Sequence, residues 1–180
     1  MNTANAATEL MVKYAAYHRD RRNIATHFVG VPMLVFAVGA LLARPSIDIA
    51  GWPLTPAAVL WGLSPLWYLT RGDLVLGLAT SLANLVLILA ALPLGQLQTT
   101  AWIGWSVGVF VIGWAIQFVG HYYEGRKPAF VDDLRGLLVG PMFVVGEALF
   151  SCGWGKALLQ EINRRVGPTH LRDLHTPATR

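Results

Sequence analysis

LVLGLATSLANLVLILAALPLGQLQTTAWIGWSVGVFVIGWAIQFVGHYYE, residues 74–124, is the stretch whose reading decides the fold. Its first fifty positions, Leu74 to Tyr123, contain no Asp, Glu, Lys or Arg. Elements of a soluble domain turn one face to water, and charges recur on that face; an uncharged run of this length reads as membrane protein. The polar patch 95–100 divides it into Leu74–Leu94 and Ala101–Gly120. As helices, each would extend about 30 Å, the thickness of a hydrocarbon core.

Working outward, two more apolar segments precede this pair, Phe28–Ala43 and Leu54–Thr70. Both are shorter and carry proline (Pro32, Pro56, Pro65), so they are expected to tilt or kink. The chain is 54% hydrophobic and 13% charged over 180 residues, far from a soluble composition. The expectation is an all-α, integral membrane helical bundle with four transmembrane helices within 28–120. Residues 1–27 form a cytoplasmic N-terminal segment, and 161–180 a polar tail ending in coil. The whole, 1–180, reads as a single membrane domain. Leu137–Trp154 is also apolar but holds Pro141 and Glu147. A fifth crossing there would strand the basic tail on the wrong side, so 121–160 is expected to contain an interfacial or re-entrant helix.

Charge sets the orientation. With four spans, 13 of the 14 Lys and Arg residues fall on one side, all but Arg44. That asymmetry places both termini in the cytoplasm. The basic balance, with a pI near 9.6, is explained by anchoring at an anionic lipid bilayer and calls for no nucleic acid. Residues 1–27 do not resemble a signal peptide. The lone Cys152 excludes an internal disulfide and fits a reducing compartment or a small buried apolar position. The short loops point to a bacterial inner membrane, or to the endoplasmic reticulum if the chain is eukaryotic.

The same topology brings three histidines to one side: His18 and His27 at the entrance of the first span, and His121 at the exit of the fourth. His18 and His27 are nine residues apart, on opposite sides of an unbroken helix. If both act on one ion, the helix must break near Asp20–Asn23. Tyr14–His18 and Asn23–His27 are i,i+4 pairs, and Gln117, His121 and Glu124 share one face. Neutral imidazoles with a carboxylate suit a divalent iron or zinc ion, with Gln117 orienting the His121 ring. The plainer reading is a helix end, with Gly125 as its cap and Arg126 and Lys127 complementing the dipole. Asp132 and Asp133 either add a carboxylate or cap the helix starting near Leu134, and capping is favoured. Glu147 is a functional candidate by the cost of burying its charge, or the partner of an arginine. His170 and His175 read as solvated. Histidine boxes of membrane di-iron enzymes, HExxH, GxSxG, the P-loop and GxGxxG are all absent.

Tyr14-x3-His18-x4-Asn23-x3-His27-x2-Gly30-x-Pro32, followed by GWAIQFVGHYYEGRKPAFVDDL (113–134) and GPMFVVGE (140–147), resembles the membrane 2-hydroxy fatty acid dioxygenase family. Its fungal members act in phytosphingosine breakdown at the endoplasmic reticulum. The similarity spans roughly 10–150. It implies an Fe(2+)-dependent enzyme that joins dioxygen to a 2-hydroxy fatty acid and cleaves C1–C2, giving an acid one carbon shorter. His18, His27 and His121 are the implied iron ligands, with Glu124 and Asn23 as neighbouring catalytic candidates. Glu124 follows His121 by three residues here, against four in the fungal members, so the histidines carry over more directly than Glu124. Arg126 and Lys127 are candidates for the substrate carboxylate, and Tyr14, Gln117 and Asp132 for supporting the ligands. The alternatives are a zinc hydrolase at the same site or a non-catalytic lipid-binding or transporter-like protein. A transporter would use polar groups near the bilayer centre, where Asn84 is the one strong candidate.

Overall fold

The computed structural model describes residues 5–175; residues 1–4 and 176–180, the ends of the N-terminal segment and of the polar tail, lie outside the described residues. The helices are α1 (Ala6–Ala15), α2 (Arg21–Leu41), α3 (Pro56–Leu69), α4 (Leu74–Ala91), α5 (Thr99–Glu124), α6 (Gly136–Ser151) and α7 (Lys156–Val166). One hairpin, β1 (Ile47–Ile49) with β2 (Trp52–Leu54), joins α2 to α3. Its two-residue turn places Ala50 at φ 54° and Gly51 at φ 83°, the left-handed conformations such turns demand.

Helix starts follow from their caps. Asn5, Asp20, Thr55 and Asp73 each accept a backbone N–H from the first turn of α1, α2, α3 and α4. α2 spans 21 residues, α4 with its 3-10 continuation to Gln96 spans 23, and α5 spans 26; these three are long and apolar enough to cross a membrane. α6 and α7, bent by 115° at their junction, would make a fourth if taken as one broken span. The fold is thus an all-α membrane bundle. α3 has only 14 residues, about 21 Å of helix, and packs as a hairpin with α4. Leu78, Leu82, Val86 and Leu89 on α4, and Trp105, Val111 and Phe118 on α5, are exposed. Such an apolar exterior matches lipid rather than water.

The interior is organised around α2 and α5. Trp102 Nε1 donates to the carbonyl of Ala40 at 2.7 Å, while Gly120 lies against Asn23 at the other end, so the two helices run antiparallel. Glycine sets their separation: a Cβ on Gly30 would lie 2.9 Å from the Gly113 carbonyl oxygen. α6 lies inside the fold rather than on its rim. Its Val139, Met142 and Phe143 are buried with Met11, Tyr14, Tyr68 and Leu76. Cys152, at its C-terminal end, is exposed and not the buried residue its chemistry allowed. α7 buries Ile162, and Arg165 pairs with Glu9 at 2.6 Å.

After Val166 the described residues are coil, and two backbone hydrogen bonds fasten them to the start of α2. The His170 N–H donates to Arg19 O and the Arg21 N–H to His170 O, both at 2.9 Å. The His170 side chain itself is exposed, as expected, and so is His175. It is the tail's backbone that is tied down.

Candidate metal centre

The break between α1 and α2 builds one side of the site. α1 ends at Ala15, and Asp20 restarts the helix by accepting the Arg22 N–H at 2.8 Å. Burial works against the Asp20 charge, but the Arg22 guanidinium and the Arg172 and Arg22 backbone N–H groups outweigh it, holding the carboxyl at about 2. His18 sits within the break and His27 on α2, so the interruption turns two rings that an unbroken helix would separate toward one point. His121 reaches the same point from the last turn of α5. All three are buried, and one nitrogen of each lies within 4.8 Å of the other two.

Tautomers follow from the partners. His18 Nδ1 lies 2.7 Å from Tyr14 O, and His27 Nδ1 lies 2.9 Å from Asn23 O. Carbonyl oxygens only accept, so both Nδ1 atoms carry the hydrogen and both Nε2 atoms present lone pairs. These Nε2 atoms are 3.1 Å apart. Two lone pairs at that separation repel unless a cation lies between them, and two nitrogens each about 2.1 Å from one ion are about 3 Å apart at a right angle. Desolvation, and then the neighbouring His27 and His121, pushes His18 well below the usual histidine range, so it stays neutral and able to bind a cation. His121 Nδ1 is buried with no hydrogen-bond partner among the described residues. The three histidines therefore fit a metal ion.

Supporting contacts are dense. The Tyr14 ring stacks on His18 at 4.2 Å and an interplanar angle of 6°, and Phe143 lies 5.3 Å from the same ring. Tyr14 thus supports His18 twice, by its carbonyl and by its ring. Gln117, one turn before His121, lines a cavity with it.

Glu124 and Asn23, the expected catalytic neighbours, meet at the break between α1 and α2. The Glu124 carboxylate accepts the Arg19 N–H at 3.0 Å, the Asp20 N–H at 2.8 Å and Asn23 Nδ2 at 3.0 Å. Those bonds occupy it, and it stands outside the three-nitrogen cluster. Asn23 also donates to Tyr17 O at 3.1 Å. Both brace the break between α1 and α2. Asp132 is likewise not behind the ligands: its exposed carboxylate takes Lys127 Nζ at 2.6 Å and the Tyr17 hydroxyl at 2.8 Å. Arg126 Nη1 donates to Ala16 O at 2.7 Å, and neither Arg126 nor Lys127 lines the cavity. Asp133 does not cap α6, whose N-cap is Arg135 with no side-chain cap bond; it accepts the Arg135 N–H at 2.9 Å in the turn before the helix. Glu147 faces Arg19, with Nη2 and Oε1 3.9 Å apart.

Sequence reasoning missed several contributors. Arg172, in the tail, donates from its backbone to Asp20 Oδ2 at 2.8 Å and from Nε to Tyr123 O at 2.9 Å, linking the two halves of the site. Phe143 and the cavity wall were also missed. Asp20 was foreshadowed only as the place where the helix must break. The cavity, about 270 Å³, begins at Tyr14 and His121 and runs between α2, α3, α4, α5 and the start of α6.

A membrane helical bundle with three buried histidines able to hold one metal ion is the class that fold and site define. Comparison with known proteins narrows it. Residues 4–152 match the family described as 2-hydroxy-palmitic acid dioxygenase Mpo1-like, and the chain belongs to that family. It is 34% identical over 144 residues to a Saccharomyces cerevisiae protein named 2-hydroxy-palmitic acid dioxygenase MPO1, covering 78% of each chain. No solved structure matches. The relative is a yeast protein, so the comparison lends no support to a bacterial inner membrane.

Proposed function

We propose that this protein is an iron(II)-dependent dioxygenase that cleaves the C1–C2 bond of 2-hydroxy fatty acids, yielding an acid one carbon shorter. The observation that carries the reading is the facing pair of lone pairs on His18 and His27, 3.1 Å apart, beside His121 at the head of an apolar cavity. Family membership and the name of the yeast relative support the substrate class. His18, His27 and His121 would hold a ferrous ion, which would supply Lewis-acid and redox chemistry for a 2-hydroxy acid and dioxygen.

The protein's own residues do the rest. Tyr14 and Asn23 carbonyls fix the His18 and His27 tautomers so that both Nε2 atoms point inward. Glu124 holds the 18–20 turn against the end of α5 and acts as a positioning residue. Arg126 and Lys127, engaged by Ala16 O and Asp132, contribute long-range attraction for an anionic headgroup. Neutral histidines leave a bound cation its full charge for the acid. The apolar wall keeps the acyl tail out of water.

In this reading 1–180 is one membrane domain with both termini and the histidine centre at the cytoplasmic face. There the headgroup stays wet while the tail stays in the bilayer. Protein purified without oxygen should contain close to one iron per chain and consume oxygen with 2-hydroxypalmitate. Zinc in its place would favour hydrolysis, and no metal would favour a lipid-binding protein. Oxygen uptake unchanged in His121→Ala would overturn the proposal.

A further inference from the structure

The cavity has a direction and an end. From His121 its wall on α5 continues through Gln117, Trp114 and Phe110, a single helical face. On α2, the face of His27 continues through Val31, Leu34 and Val38. Because α2 and α5 are antiparallel, both stripes lead away from the histidines toward the same end. His121 and Phe110, and likewise His27 and Val38, are eleven residue steps apart. That is about 16 Å of helix.

Beyond Val38 the walls meet. A Cβ placed on Gly39 would lie 3.3 Å from Ile88 Cα and 3.3 Å from Ala91 Cβ, which leaves no room for a chain between α2 and α4. Ile88, beside Gly39, is buried and lines the cavity, as do Val38 and Phe110. Of the polar groups along the way, the Tyr68 hydroxyl is spent on Leu138 O at 2.9 Å. The remaining wall is mostly aliphatic and aromatic.

Resting on the 2-hydroxy fatty acid reading, we propose that this cavity is an acyl-chain ruler whose far wall, Val38, Ile88 and Phe110, selects the length of the acid. An extended alkyl chain advances about 1.3 Å per carbon, so about 16 Å holds about 12 or 13 carbons. With C1 and C2 at the histidines, saturated 2-hydroxy acids of about 14 or 15 carbons fill it. Shorter acids leave apolar wall uncovered, and longer ones meet the α2–α4 contact.

The test uses the iron-loaded, detergent-solubilised protein with saturated 2-hydroxy acids of 10 to 20 carbons. One arm measures kcat/KM for oxygen uptake. The other measures, by mass spectrometry, which lengths the protein retains from an equimolar mixture. Val38→Phe and Ile88→Phe should each raise the C12:C16 ratio at least about tenfold in both arms. Phe110→Ala should move the optimum up by about two carbons. Retention that shifts in this way without oxygen uptake by the wild type upholds the ruler and removes the dioxygenase reading. The ruler is overturned if Val38→Phe and Phe110→Ala, with wild-type iron content, keep the wild-type length profile in both arms.

Discussion

The carboxylate of Glu124, in the last turn of α5, accepts the backbone N–H of Asp20, the cap of α2, at 2.8 Å. Through this bond the helix that carries His121 is fastened to the turn that carries His18. Asn23 and the Arg19 N–H complete the same carboxylate. Glu124→Gln keeps the shape but removes the charge and turns an amide donor toward backbone donors. The expected cost is about 2–3 kcal/mol, a drop in Tm on the order of 5–10 °C. Iron retention should weaken in parallel, which elemental analysis after dialysis reads. An unchanged Tm would remove Glu124 from its positioning role.

Metal and fold should be coupled, because an ion relieves the contact between His18 Nε2 and His27 Nε2. Stripping the metal with a chelator is expected to lower Tm by several degrees, and ferrous ion should restore it. His121→Ala should abolish both the iron content and the restoration. A Tm indifferent to chelation would argue against a metal at this site.

The tail segment is expected to act on the site from outside the membrane-spanning helices. Arg172 ties Asp20 to the Tyr123 carbonyl, and Gly125 beside it adopts φ 72°. A Cβ on Gly125 would come within 2.7 Å of Arg172 Cζ. Arg172→Ala should cost about 1–2 kcal/mol and Gly125→Ala about as much, through left-handed strain and the clash together. Thermal unfolding followed by tryptophan fluorescence checks both. Full stability in Gly125→Ala would contradict this account of the turn.

Close packing of α2 on α5 predicts a steric limit. At Gly30 an added Cβ would lie 2.6 Å from Gln117 Cγ and 2.9 Å from the Gly113 oxygen, and the latter is backbone that cannot swing away. Gly30→Val should cost about 2 kcal/mol or more, or abolish folded yield. Gly104, whose added Cβ meets nothing, is the control; Gly104→Ala should behave as wild type. Size-exclusion chromatography of the detergent extracts separates these outcomes.

How much of this was legible in advance depends on whether a feature is local. The uncharged run from Leu74 to Tyr123 announces helices in lipid, because the bilayer penalises charge wherever it falls. The terminator at Gly125 is local too. The break needed to bring His18 and His27 together was readable from their spacing alone. Glu124 was not: adjacency to His121 pointed to the metal, whereas three donors from residues 19, 20 and 23 claim its oxygens. Asp132 likewise belongs to Lys127, a neighbour in sequence whose pairing no pattern distinguishes from a role at the ligands.

By itself the sequence determined a membrane helical bundle and the three histidines, since solvent preference and ligand chemistry are properties of residues and their spacing. Only the tertiary structure decided which groups serve those histidines. The backbone donors of Arg19 and Asp20 meet the Glu124 carboxylate only because α5 ends against the break between α1 and α2. A cavity is space left between helices, and its length is fixed where Gly39 lets α2 meet α4.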